Sequence, residues 1–88
     1  MGSEEAYNAI IRALKDRGVR IVNAVFEEMV FGNFMISLID RGEEKSIVCD
    51  RGLIFSCKSI NDLKGCQTVV PSLYDVTETE LLHRLELR

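Results

Sequence analysis

Hydrophobic and polar residues alternate through the middle of the chain, from Asn33 to Lys58. Ile, Val, Leu and Phe dominate the apolar positions, which is typical of β-strands. The tripeptide Asp-Arg-Gly interrupts this stretch twice, at 40–42 and at 50–52. Asp and Gly favour tight turns, because Asp bonds nearby amides and Gly adopts left-handed backbone conformations. The pattern therefore predicts three antiparallel strands joined by two hairpins.

The alternation also predicts how these strands pair, because a slip of one residue turns every side chain to the opposite face. A four-residue loop at 40–43 puts Ile36 opposite Ile47. A three-residue loop at 50–52 puts Ile47 opposite Phe55, whereas a two-residue turn would scatter apolar residues over both faces. We therefore expect a core face made of Phe34, Ile36, Leu38, Ile47, Cys49, Leu53, Phe55 and Cys57.

The opposite face of this sheet is expected to combine apolar residues with serines and little charge. Its predicted members are Met35, Ser37, Ile39, Ser46, Val48, Ile54, Ser56 and Lys58. A face turned only to water would carry more charge. Two explanations are open: a solvent face with scattered apolar residues, which is common, or a contact surface, since contiguous apolar patches mark interaction sites.

Helical periodicity marks both ends of the chain. Residues 3–17 predict a helix with Ser3 as its N-cap, and Gly18 is a suitable left-handed stop. Thr77 and Glu80 form a capping box for a second helix. We expect that helix to reach about Leu87.

Two further segments have strand character. Residues 19–28 carry apolar side chains at both parities, and we favour Val22, Ala24 and Phe26 as the set that faces inward. Phe31 is expected to fold back over the core edge, and Leu73 and Tyr74 to pack near the second helix. A loop at 59–65 and a short edge strand at 66–70 complete the pattern.

Together these elements predict one α+β domain spanning residues 1–88. It has an N-terminal helix, an antiparallel β-meander of four to five strands and a C-terminal helix. Both helices are expected on one face of the sheet. The chain is long enough for a single modest core.

Charge and composition narrow the function. The chain has 88 residues and a formal net charge of −3, and no basic stripe points to a nucleic acid partner. No apolar run approaches the about 20 residues that cross a membrane, and the acidic start does not resemble a secretory signal. We therefore expect a cytoplasmic protein with a protein partner, and a basic partner is electrostatically favoured.

The chain offers little chemistry. Cys49, Cys57 and Cys66 do not follow zinc-site spacing, and His83 is the single histidine. We expect all three cysteines to be reduced and buried. No nucleophilic triad or phosphate-binding loop is recognisable, so we expect no catalytic activity, cofactor or metal.

A family resemblance bears on the partner. Phe31-Gly32-Asn33 before a strand, followed by Asp50-Arg51-Gly52 and Phe55, resembles a pattern in small bacterial proteins of unassigned function. Some of those proteins are similar to immunity proteins of polymorphic or contact-dependent toxin systems. The resemblance covers roughly residues 4 to 58, and it implies a non-catalytic inhibitor that binds one toxin domain.

Two functional hypotheses follow. The first is a protein-binding module, in the form of an immunity protein that occludes a basic toxin domain. The second is a self-associating structural domain that forms a homodimer through the second sheet face. An enzyme is the least supported alternative. The first hypothesis assigns charge to Glu27, Glu28, Asp40, Glu43 and Glu44, and apolar anchoring to Met35, Ile39, Val48 and Ile54.

Overall fold

The chain folds into a helix, a five-stranded antiparallel sheet and a second helix, which confirms the predicted α+β class. The computed structural model describes residues 1–59 and 62–87. The helices are α1 (Ser3–Asp16) and α2 (Glu78–Arg84), and a 3-10 turn (Leu73–Asp75) precedes α2. The strands are β1 (Arg20–Glu27), β2 (Asn33–Asp40), β3 (Glu43–Asp50), β4 (Leu53–Ser59) and β5 (Asp62–Val70), paired in sequence order.

The hydrophobic core lies between the two helices and one face of the sheet. Ile10 and Leu14 of α1 and Leu81 of α2 are almost fully buried in it. Burying each such side chain contributes about 1.5–3 kcal/mol, so this layer dominates the stability of the fold. The sheet supplies Phe34, Ile36, Leu38, Ile47, Cys49, Ile54 and Val70.

The β2–β3 hairpin has the predicted register but a shorter turn. Ile36 pairs with Ile47, as expected, and Asp40 pairs with Glu43. The turn therefore has only two central residues, which are Arg41 at φ 54° and Gly42 at φ 80°. Left-handed backbone at both positions suits the two-residue hairpins whose twist matches the twist of the strands.

The β3–β4 hairpin repeats this two-residue turn, so the predicted three-residue loop is wrong. Arg51 and Gly52 have φ values of 52° and 82°, and Cys49 pairs with Ile54. Residues 53–58 of β4 consequently face the side opposite to the one predicted. Ile54, Ser56 and Lys58 belong to the helix-covered face, while Leu53, Phe55 and Cys57 belong to the other face.

The left-handed arginines give a stability prediction. An L-residue in this conformation costs roughly 1–2 kcal/mol, and Asn tolerates it better because its side chain bonds locally. Arg41→Asn should relieve part of that cost and is therefore expected to raise the free energy of unfolding by about 0.5–1 kcal/mol, measured by urea denaturation. Arg17→Asn is the control: Arg17 has an ordinary φ of −87°, and a gain of equal size there would contradict the explanation.

A β-bulge explains why both parities of β1 looked apolar. The pairing of β1 with β2 shifts between Ile21 and Asn23, which leaves Val22 unpaired. Ile21 and Ala24 therefore both pair with core residues of β2, and Val22 is 55% exposed. The predicted inward position of Val22 is wrong because a bulge moves the alternation by one residue.

The ends of several elements also differ from prediction. Gly2 is the N-cap of α1, and its amide donates to Glu5 Oε1 at 3.2 Å, so Ser3 is not the cap. The α2 cap is confirmed, because Glu80 N donates to Thr77 Oγ1 at 3.2 Å. β5 begins at Asp62, within the predicted loop, and residues 60–61 of that loop lie outside the described part of the chain.

Candidate interaction surface

The face of the sheet opposite the helices is the candidate site, and we call it the open face. Directly paired residues of antiparallel strands share a face, so the register defines its rows. One row, the apolar row, consists of Val25, Met35, Val48, Phe55 and Thr68. The next, the small-residue row, consists of Asn23, Ser37, Ser46, Cys57 and Cys66.

The apolar row runs across all five strands without a break. Its central side chains, Met35, Val48 and Phe55, are half-buried. None of the ten residues of the two rows carries a formal charge. A continuous apolar ridge without charge is the composition expected in the centre of a protein contact.

The small-residue row forms the floor beside this ridge. Ser46 is 0% exposed and Ser37 is nearly buried. Their hydroxyl oxygens lie 3.3 Å apart and share a hydrogen bond. This bond offsets the cost of removing the two hydroxyls from water, so the small-residue row is compatible with a face that excludes solvent.

The same row ends in a disulfide between Cys57 and Cys66, which are directly paired on β4 and β5. The prediction that all three cysteines are reduced is therefore wrong, because it treated residues 59–65 as a loop and missed the pairing. Cys49 is free and buried in the core. Burial raises the pKa of the Cys49 thiol and the charge of Asp50 raises it further, while a hydrogen bond from the Gly52 backbone opposes them.

The predicted apolar anchors divide between the two faces. Met35, Ile39 and Val48 lie on the open face, as expected. Ile54 is 0% exposed in the core and is unable to touch a partner. Its place on the open face is taken by Leu53 and Phe55, which the predicted three-residue loop had put in the core.

The predicted acidic residues do not form one patch. Glu27 and Glu28 lie at the end of β1, near the start of β2. Asp40, Glu43 and Glu44 lie at the other end of β2, about 23 Å away at the usual strand rise. Among the described residues, the ion pairs are Arg12–Glu78 at 3.2 Å and Arg51–Asp50 at 3.9 Å, so none of these five carboxylates is paired.

A second exposed feature lies at the end of the sheet where β1 meets β2. We call it the loop tip, and it consists of Met29, Val30, Phe31, Arg51 and Tyr74. The Arg51 guanidinium lies over the Phe31 ring, and the Tyr74 ring lies against Gly52, the next residue after Arg51. Phe31 is 68% exposed, so it does not fold back over the core edge as expected. Tyr74, expected to pack near the second helix, is 64% exposed and its ring lies against this glycine. Leu73 is fully buried, as predicted. Sequence reasoning missed this cluster, because Arg51 and Tyr74 are distant along the chain from residues 29–31.

Two further features bear on possible chemistry, the single histidine and a cavity. His83 is exposed on α2, and no group of three or more His, Cys, Asp or Glu side chains is placed to hold a metal ion in that part of the chain. A cavity of about 430 Å³ near the C-terminal ends of both helices includes Ser56 but neither histidine nor cysteine.

Comparisons with known proteins leave the site to be interpreted from its geometry. No protein-family model, curated protein or solved structure matches the chain. Within residues 1–59 and 62–87, no helix is both long enough and apolar enough to cross a membrane.

Proposed function

We propose that this protein is a non-catalytic protein-binding module that contacts its partner through the open face. The observation that carries the proposal is the uncharged apolar row, which extends over five strands and is not covered by either helix. Met35, Val48 and Phe55 form its centre. Leu53 lies beside them, and Ile39 lies on the far side of the small-residue row. An exposed apolar surface of this extent is costly in water unless another molecule covers it.

The size of the open face supports this proposal. Five strands at the usual spacing span about 19 Å, and strands of this length extend about 26 Å. One face therefore offers about 500 Å² to a partner, and the contact buries about 1,000 Å² over both molecules. This value is at the lower limit for specific protein–protein interfaces.

The proposed partner is a toxin domain, in line with the resemblance to immunity proteins, and the proposed location is the cytoplasm. The unpaired carboxylates at both ends of the open face would favour a basic partner. Glu44 is closest to the face itself, because it pairs with Ile39. Because the carboxylates lie at the two ends of the sheet, they would sit at the rim of the contact, where charges mainly accelerate association.

The test is binding to the protein encoded by the neighbouring gene, measured by calorimetry. Val48→Glu puts a charge in the centre of the apolar row and is expected to weaken binding at least about tenfold. Thr68→Glu and Gln67→Glu are a matched pair, because these exposed neighbours lie on opposite faces of β5. Only the Thr68 change should weaken binding, and equal effects would contradict the open face as the contact.

Self-association is the second candidate, and the two adjacent rows favour it. The large side chains of the apolar row in one copy can pack against the small-residue row of a second copy, and the reverse. Light scattering would then show a dimer that Val48→Glu converts to a monomer while Gln67→Glu leaves it intact. A monomer at millimolar concentration excludes this candidate without affecting the first.

A further inference from the structure

The loop tip gathers most of the strongly exposed apolar side chains in the described part of the chain. Met29 is 95% exposed, and Val30, Phe31 and Tyr74 are exposed as well. The remaining large ones in that part are Val22 and Val25, both on β1. Single exposed apolar residues need no explanation, but four at one end of a small domain form a patch.

The structure holds this patch in a defined shape. Gly32 has a φ of 65°, and a Cβ atom there would collide with the Ser3 hydroxyl. The Asn33 side chain donates to Asp50 Oδ1 at 3.3 Å and accepts from Arg51 N at 2.9 Å. The Asn33 bonds therefore tie the end of the β1–β2 loop to the β3–β4 hairpin, and Gly32 lies closely against the start of α1. The apolar side chains of the loop are presented on this support.

The backbone of Phe31 is strained. Its φ of 55° lies in the left-handed region, where a bulky residue is a rare outlier. Such strain persists mainly at functional sites, because a better-suited residue would otherwise stabilise the fold. Burial of the Phe31 ring does not offset the cost of this backbone conformation, because the ring is mostly exposed.

The residue types also fit a contact surface. The Arg51 guanidinium carbon lies 5.0 Å from the centroid of the Phe31 ring, which is within cation–π range. Aromatic residues, Met and Arg are enriched in protein interfaces, and Tyr and Arg often carry most of the binding energy. We propose that the loop tip is a second protein-contact surface, independent of the open face, whose partner presents an apolar pocket edged by basic side chains.

The charges around the loop tip favour a partner whose apolar pocket is edged by basic side chains. Glu27, Glu28, Asp50 and Asp75 adjoin its members in sequence, and all four are exposed. Arg51 is the one cation of the loop tip, and it already lies 3.9 Å from Asp50. A second copy of the chain, or an anionic lipid surface, would bring like charges together. Basic side chains around an apolar pocket would complement this arrangement.

The probe is a random peptide library displayed on phage and selected on the intact protein. Selected peptides are expected to combine large apolar residues with Lys or Arg, and to bind the double variant Met29→Ser, Phe31→Ser about tenfold more weakly. Val22→Ser, another exposed apolar position, is the matched control and should bind normally. Peptides that bind the double variant equally well, or that lack basic residues, would overturn the proposal.

Two further measurements separate binding from folding and from lipid. Phe31→Asn keeps the left-handed turn and removes the ring, so the thermal midpoint should not fall while peptide binding drops about tenfold. A lowered midpoint would assign the ring to the fold and overturn the proposal. Binding of the wild type, but not of Phe31→Asn, to phosphatidylcholine vesicles would reassign the loop tip to a lipid surface.

Discussion

Ile54→Lys is expected to unfold the protein, whereas Phe55→Lys should leave it folded. Ile54 is 0% exposed, so a lysine there would bury a charge without a partner, which costs more than a domain of this size can offset. The milder change Ile54→Ala should lower the free energy of unfolding by about 2–5 kcal/mol. Phe55 is half-buried on the open face, where a lysine ammonium can reach water.

Circular dichroism and urea denaturation of the two lysine variants measure this difference. The variants are matched controls for each other, since they place the same side chain at adjacent positions of one strand. The opposite outcome, with Phe55→Lys unfolded and Ile54→Lys stable, would restore the three-residue loop. It would also move Leu53 and Phe55 from the open face into the core.

Removing the Cys57–Cys66 disulfide should produce the second-largest loss of stability. The bond closes a loop with a sequence separation of 9, and constraining the unfolded chain over such a loop contributes about 2–3 kcal/mol. The double variant Cys57→Ser, Cys66→Ser is expected to lose this amount in urea denaturation. A reducing agent should weaken the wild type equally and leave the double variant unchanged.

If a reducing agent leaves the free energy of unfolding of the wild type unchanged, the two thiols are not joined in solution. The result also bears on the compartment in which the protein works. Disulfides persist mainly in oxidising environments, so a bond that holds in solution would count against the proposed cytoplasmic location. Cys49 supplies an internal reference, because it is free and buried under both conditions.

The type and order of most elements could be read from the sequence, while the register of one hairpin could not. Hydrophobic alternation identifies a core face when the other face is polar, but here the open face is apolar too. Choosing the loop that gathered the most apolar residues therefore moved Leu53 and Phe55 inward. The repeated Asp-Arg-Gly was the better guide, because the spacing that pairs Ile36 with Ile47 also pairs Cys49 with Ile54 when it is applied again.

The candidate sites show a similar division. Met35, Ile39 and Val48 were predictable because β2 and β3 follow strict alternation. The loop tip was not, because Phe31 and Tyr74 are apolar residues that sequence reasoning places inside by default. Their exposure depends on how the β1–β2 loop and the 3-10 turn meet the end of the sheet, which is a tertiary feature.

The unpaired Val22 has one more consequence, for the behaviour of the protein at high concentration. β1 and β5 are the outermost strands of the sheet, and each pairs irregularly with its neighbour. Regular, flat outer strands recruit further chains and seed fibrils, and local kinks are one means by which natural proteins prevent this. The irregular edge strands therefore allow the domain to expose an apolar face without acting as templates for amyloid growth.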